Sequence, residues 1–189
     1  LHHLGLSVFR GRSDGTFEAP GEFPFAMPAS ELVAADLDGD GDIDLAVGPR
    51  TPGQPLILRN DGAGALSPLE PPLPEDLQAF GLEAAADMDL DGDIDLVDRG
   101  RPPFGASVLL NDGKLRFQRA PIRKETPVET MQRMTTSIAL GDIDKDVDLD
   151  LALGGELTCL HCLVTNPGLL RIEKNVSLPP RSADADRNG

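Results

Sequence analysis

Three acidic segments of nine residues, which align without gaps, constrain the fold of this 189-residue chain more than any other feature. They begin at residues 36, 87 and 142, and each has Asp at positions 1, 3, 5, 7 and 9. In every copy an Asn stands 24 residues after the first Asp and opens an Asn-Asp-Gly or Asn-Pro-Gly segment. Constant spacing within a copy, with variable connections between copies, indicates one supersecondary unit repeated about every 50 residues.

The apolar residues around each acidic loop predict β-strands. Ile43, Leu45 and Val47 alternate after the first loop, and period two is typical of a strand. A short apolar run, Leu32–Ala35, predicts another strand before it. Asn-Asp-Gly between apolar runs predicts a hairpin turn, because Asn and Gly tolerate positive φ. Four short antiparallel strands in about 50 residues predict one blade of a β-propeller.

The predicted fold class is therefore all-β, a β-propeller segment of four-stranded antiparallel blades, about three complete and partial ones at both ends. The first residues contain a hairpin-like Gly11–Phe17, and the last seven resemble the start of another acidic loop. We therefore expect a piece of a longer array. The predicted divisions are the end of a blade at 1–20, blades at 31–70, 82–120 and 136–175, and the start of a further blade at 182–189.

Antiparallel order also predicts which connections share an end of the blade. The acidic loop joins strands one and two, and the Asn turn joins strands three and four, so both are expected at the same end. The connections that vary in length, such as Glu70–Gly81 and Ala120–Thr136, are expected at the opposite end. Ligand-binding loops are expected where variation concentrates.

The charge of the chain is localised in the acidic loops. The net charge is −15, and the three loops, with fifteen Asp and Lys145, account for −14 of it. A strongly acidic chain does not favour nucleic acid or anionic lipid, so neither is an expected partner. No apolar run approaches the roughly 18–20 residues that span a bilayer, so no membrane insertion is expected within this segment.

Clustered carboxylates repel one another unless a cation neutralises them, and oxygen ligands in this number favour Ca²⁺. We expect about three calcium sites, with position 7 contributing a backbone carbonyl and a truncated fourth site at Asp184, Asp186 and Asn188. Solvated acidic turns without metal are the alternative. The candidate metal residues are Asp36, Asp38, Asp40, Asp42, Asp44, Asp87, Asp89, Asp91, Asp93, Asp95, Asp142, Asp144, Asp146, Asp148 and Asp150.

The loops are not EF-hands, because position 12 is Val47, Asp98 or Leu153 instead of a glutamate in each copy. The third loop is expected to bind most weakly. It has Val147 where the others have glycine, and a β-branched residue is strained at positive φ.

The loops at Ala34–Gly48, Ala85–Val97 and Gly141–Gly154, each with its Asn-x-Gly hairpin, resemble FG-GAP/VCBS repeats. These repeats are the calcium-binding blades of integrin α-subunit propellers and of many secreted bacterial proteins. The resemblance implies a propeller of about seven blades, Ca²⁺ between strands one and two, and an extracellular, cell-surface or periplasmic location. It also implies a protein or glycan ligand on the face opposite the calcium loops. Val147, a missing Gly-Ala-Pro element and the short length depart from the pattern.

The expected function is a calcium-binding module of a secreted or cell-surface protein, which mediates adhesion or binds a protein or glycan and is not an enzyme. One alternative is a non-catalytic propeller attached to a secreted enzyme acting on polysaccharide or lipid; another is a purely structural role. Cys159 and Cys162 are expected to form a local disulfide or to be two buried thiols. Asn175 lies in a glycosylation sequon.

Overall fold

The computed structural model describes residues 5–99, 106–120, 131–143, 145–159 and 166–173. Within these ranges every regular element is a β-strand and no helix is present, which confirms the predicted all-β class. The strands form several antiparallel sheets, two of them four-stranded, as propeller blades would. None of the described residues belongs to a helix that could cross a membrane.

The strands fall into four groups along the chain. A hairpin at the start is followed by two four-stranded sheets, whose strand order follows the sequence, and by a three-stranded sheet. The strands are β1 (Gly5–Val8) and β2 (Gly21–Pro24); β3 (Ala29–Ala35), β4 (Asp44–Pro49), β5 (Leu56–Asn60) and β6 (Leu66–Pro68); β7 (Leu82–Ala86), β8 (Asp95–Asp98), β9 (Ser107–Asn111) and β10 (Phe117–Arg119); and β11 (Met131–Gly141), β12 (Asp150–Cys159) and β13 (Asn166–Glu173).

The acidic loop and the Asn turn lie at the same end of each four-stranded sheet, as the antiparallel order predicts. In the first sheet Ala35 pairs with Asp44 across the acidic loop, and Asn60 pairs with Leu66 across the turn. The amide of Asn60 then donates a hydrogen bond to the carboxylate of Asp44. The two connections are therefore in direct contact.

The two four-stranded sheets share one hydrophobic core. All four residues of β8 and five of the six in β4 are buried. Alternating exposure would bury only about half of these residues. The shared cluster consists of Val33, Leu37, Ala46, Ile57, Leu73, Leu77, Ala79, Leu82, Leu96, Leu109, Leu115 and Phe117.

Two segments differ from their predicted structure. Strand β2 lies between the predicted divisions at 1–20 and 31–70, where no strand was predicted. Residues 21–24 pair with β1 and extend the first hairpin beyond residue 20. The predicted Asn-Pro-Gly turn of the third copy is wrong, because Asn166–Glu173 is one strand paired with β12. Pro167 cannot donate a ladder hydrogen bond, and the register shifts beside it so that Gly168 is bulged out.

Other predictions fall outside the described residues, and the division into blades stays a prediction. The truncated fourth site at Asp184, Asp186 and Asn188, the sequon at Asn175 and one of the two cysteines, Cys162, all lie there.

Candidate metal centre

Each acidic loop folds around the carboxylate of its first Asp. In all three copies the amide of position 6 donates to Oδ2 of position 1, at 3.0, 3.0 and 3.2 Å along the chain. The amide of position 7 donates to Oδ1 of position 5, at 2.9, 3.0 and 3.3 Å. One backbone scheme is therefore built three times. The position-1 residues are Asp36, Asp87 and Asp142, and the position-5 residues are Asp40, Asp91 and Asp146.

Positions 4 and 6 of every loop have left-handed backbone. At position 6, Gly41 and Gly92 have φ of +91° and +95°, and Val147 has +87°. The expected positive φ, and with it the strain at Val147, is present. Position 4 was not foreseen: its φ is +72°, +61° and +66° at Gly39, Leu90 and Lys145. Only the glycine of the first copy signals it in the sequence.

The last Asp of each loop is buried and holds the loop closed. Asp44, Asp95 and Asp150 are 0%, 0% and 1% exposed. In each copy Oδ2 accepts the amide of position 2, at 3.2, 2.8 and 2.9 Å. In the first two copies Oδ1 also accepts the amide of the turn Asn, at 2.8 Å in both. We call this arrangement the position-9 clamp, since one carboxylate joins the acidic loop to the Asn turn.

Burial raises the pKa of the clamp residue in each of the first two loops. It raises the pKa of Asp95 to about 7, although hydrogen bonds from Asn111 and Met88 act in the opposite direction. Neighbouring carboxylates, including that of Asp89, add to the rise. Burial also raises the pKa of Asp44 above its ordinary value. An extra positive charge nearby would favour the ionised form of both groups.

Carboxylate oxygens converge at two places. Those of Asp36, Asp38 and Asp40 lie within 4.8 Å of one another in the first loop, and those of Asp87, Asp89 and Asp95 do so in the second. The third loop supplies no such group from its described residues, and Asp144 lies outside them.

The position-7 carboxylates lie beside the Asn turn instead of in these groups. A Cβ on Gly62 would overlap the carboxylate of Asp42, and one on Gly113 would overlap that of Asp93. Both glycines also have positive φ, +77° and +69°. A glycine is therefore required in each turn both for its backbone conformation and for the close approach of the loop. In the third loop, Asp148 is buried, 8% exposed.

The guanidinium of Arg59 forms ion pairs with two carboxylates of the first loop. Arg59 Nε lies 2.5 Å from Asp38 Oδ2, and Nη2 lies 3.3 Å from Asp40 Oδ2. The two carboxylates raise the pKa of Arg59. The amide of Asp42, followed by Arg59, lowers the pKa of Asp40. In the second copy the corresponding residue is Leu110, whose side chain is buried.

The turn Asn residues, which were predicted only to shape the turns, also contact the acidic loops. Asn111 is fully buried, and its Nδ2 donates to Ile94 O at 3.0 Å and to Leu37 O at 2.7 Å. Leu37 belongs to the first loop, so this bond joins the two sheets. Asn60 Nδ2 donates to Ile43 O in its own loop at 3.1 Å. The constant 24-residue spacing was the signal of such contact.

The chemistry of the two groups fits a hard divalent cation. Every converging ligand is a carboxylate oxygen, the donor type that Ca²⁺ prefers, and no nitrogen or sulfur ligand stands among the described members. Within the described residues, Oδ1 of Asp38 and Oδ1 of Asp148 are buried with no hydrogen-bond partner. Buried polar atoms normally have one, so these oxygens have capacity for a ligand.

Fold and site together define a class: an all-β repeat protein with an acidic, oxygen-lined loop between the first two strands of successive sheets. The family model of the FG-GAP-like repeat matches residues 4–47 and 36–97. The chain is accordingly an FG-GAP-like repeat protein. The first acidic loop lies in both matches. No curated protein matches the chain significantly.

Proposed function

We propose that the acidic loops bind Ca²⁺ and that the chain is a calcium-stabilised binding module of a secreted or cell-surface protein. One observation carries the proposal: triads of carboxylate oxygens form within 4.8 Å in two successive loops of the same design. Asp36, Asp38 and Asp40 would hold one ion, and the other triad a second. Asp144 and Asp148 would contribute to a weaker third site.

The bound ion would supply positive charge and not chemistry. Carboxylates so close to one another repel. A divalent cation between them attracts each one and so offsets that repulsion. The loop ligands must stay ionised to hold the ion, so they are unsuited to proton transfer. This favours a binding module over an enzyme.

The exposed position of the loops supports an extracellular or periplasmic location. Gly39, Asp40 and Gly41 are exposed, so an ion here would remain near solvent. Sites of modest affinity are filled where calcium is abundant, and extracellular modules bind it at about 10⁻⁴–10⁻³ M.

The end of the sheets opposite the loops is the proposed surface for a protein or glycan. Two connections from the first sheet, residues 50–55 and 69–81, meet there. Gly53 and Ala79 exchange backbone hydrogen bonds of 3.2 and 2.8 Å, which fix the connections to each other. Arg50 and Gln78 are exposed beside this pair. An ordered platform of exposed polar groups suits recognition, because little conformational entropy is lost on binding.

The calcium proposal is tested by thermal unfolding of the chain in EDTA and in millimolar Ca²⁺. Ligand at about 100 times its dissociation constant stabilises by about 2.7 kcal/mol per site, so the midpoint should rise by about 5–10 °C per site. Calorimetric titration of Asp89→Asn should give one ion fewer than the wild type. Asp76→Asn, which removes an exposed carboxylate at the opposite end, is the matched control and should change nothing. Coincident curves in EDTA and Ca²⁺ would refute the proposal.

The recognition surface is tested separately, with the calcium-loaded chain applied to immobilised glycans and extracellular proteins. Binding should weaken in Arg50→Ala and persist in Arg12→Ala, which removes the same charge from the first hairpin. Absence of binding to every member of the panel would count against a recognition role.

A further inference from the structure

We propose that Arg59 is a built-in competitor for calcium, which weakens ion binding by the first acidic loop. This rests on the proposed calcium function and concerns the affinity of that loop. The guanidinium forms ion pairs with two of the three carboxylates that would hold the ion, those of Asp38 and Asp40.

The contact has the features of a cation site and not of a chance surface pair. The side chain of Asp38 is only 10% exposed, so its carboxylate is largely removed from water. Its Oδ2 is paired with Arg59, whereas its Oδ1 is buried with no hydrogen-bond partner in the described part of the chain. One guanidinium therefore leaves part of the ligand capacity of this carboxylate unused. A divalent ion within the triad would use it.

The second loop differs at the corresponding position. Arg59 immediately precedes the turn Asn of the first sheet, and Leu110 immediately precedes that of the second. Leu110 is 5% exposed and belongs to the apolar interior. The two loops thus share their backbone scheme, but the adjacent strand has an arginine at this position only in the first copy.

Arg59 can leave without disrupting the fold. Its side chain is 52% exposed, and it extends from the end of β5 toward solvent. Ion pairs made by an exposed guanidinium are weak, so a divalent ion can displace Arg59. Displacement nevertheless opposes binding, and the same charge repels the incoming ion. Together these effects should weaken the first site about tenfold.

The test is calorimetric calcium titration of the whole chain and its variants at fixed salt. Arg59→Gln should strengthen one site about tenfold and leave the other unchanged, whereas Arg59→Lys should stay near the wild type because it keeps the charge. Arg12→Gln is the control, because it removes the same charge at a different place. Arg12 pairs with Glu18 at 3.8 Å in the first hairpin. Asp38→Asn and Asp89→Asn assign the two binding steps to the first and second loops.

The outcomes separate the two proposals. If Arg59→Gln strengthens only the step that Asp38→Asn abolishes, the competitor role is supported. If calcium binds but Arg59→Gln leaves that step unchanged, or Arg12→Gln strengthens it equally, the competitor role is refuted and the calcium function stands. If neither the wild type nor Arg59→Gln binds calcium, both proposals are refuted.

Discussion

The first and second acidic loops have the same backbone scheme but different surroundings. In both, the first Asp holds the turn and the position-9 clamp joins the loop to the Asn turn. In the first, Arg59 pairs with two of the carboxylates, and the clamp residue belongs to the oxygen triad only in the second. The motif therefore sets the shape of the loop, while residues from neighbouring strands contribute to its electrostatics.

The largest expected difference between the two loops is the pKa of the buried position-9 carboxylate. Because burial raises the pKa of Asp95 to about 7 from an ordinary 3.8, the folded, calcium-free chain binds this proton more tightly than the unfolded chain does. That stabilisation is complete below about pH 3.8 and is lost as the pH rises through about 7. Carbon-detected NMR in EDTA should find Asp95 titrating above Asp44.

Calcium provides the control for this titration. If Asp95 contributes to the second site, saturating Ca²⁺ should move its midpoint well below 7, because a nearby cation favours the carboxylate. Asp95→Asn should remove the corresponding slope from the dependence of stability on pH. A midpoint of Asp95 at or below that of Asp44 would contradict the assigned difference.

The next largest difference is expected in how much each turn Asn contributes to the free energy of unfolding. Asn111→Ala removes two donated hydrogen bonds, one to the buried carbonyl of Leu37 and one to the partly buried carbonyl of Ile94, so it should cost about 3 kcal/mol. Asn60→Ala is the matched variant and should cost about 1 kcal/mol, because Asn60 is only partly buried and its bonds remain within one sheet. Urea unfolding in EDTA measures both, and equal losses would show that the bond between sheets adds nothing.

Substitution at position 6 should show the smallest difference in stability between the loops, because their backbone is alike there. A Cβ on Gly41 or on Gly92 would meet nothing within 4 Å, so only backbone strain opposes valine. Gly41→Val and Gly92→Val should therefore each cost about 1–2 kcal/mol. Val147→Gly should have the opposite effect, a gain of up to about 1 kcal/mol in the free energy of unfolding. Unequal costs at Gly41 and Gly92, or destabilisation by Val147→Gly, would contradict the shared backbone scheme.

Much of the fold and the place of the site follow from local periodicity, so they were predictable. Alternation at Ile43, Leu45 and Val47 predicted β4 within one residue of its start, and the spacing of the Asp residues located the loops. The turn at Pro167 was mispredicted, because a bulge in the paired strand accommodated a dipeptide that ordinarily marks a turn.

The contacts that distinguish the loops were not predictable from the motif. Arg59 is one exposed arginine among others in the sequence, and only the pairing of β5 with β4 brings it to Asp38. The bond from Asn111 to Leu37 spans 74 residues and depends on how two sheets pack. Such contacts are set by tertiary packing, which periodicity within one repeat does not encode.

The bond from Asn111 to Leu37 also determines what a protein engineer would have to transplant. Moving residues 29–68 into another scaffold would carry the first sheet whole but leave the carbonyl of Leu37 without its buried donor. A cassette that keeps this bond must contain the whole first sheet and continue through Asn111, across the boundary between two sheets. One match of the family model, residues 36–97, also crosses that boundary. Grafts that end at the edge of the first sheet should therefore be less stable than grafts that continue through Asn111.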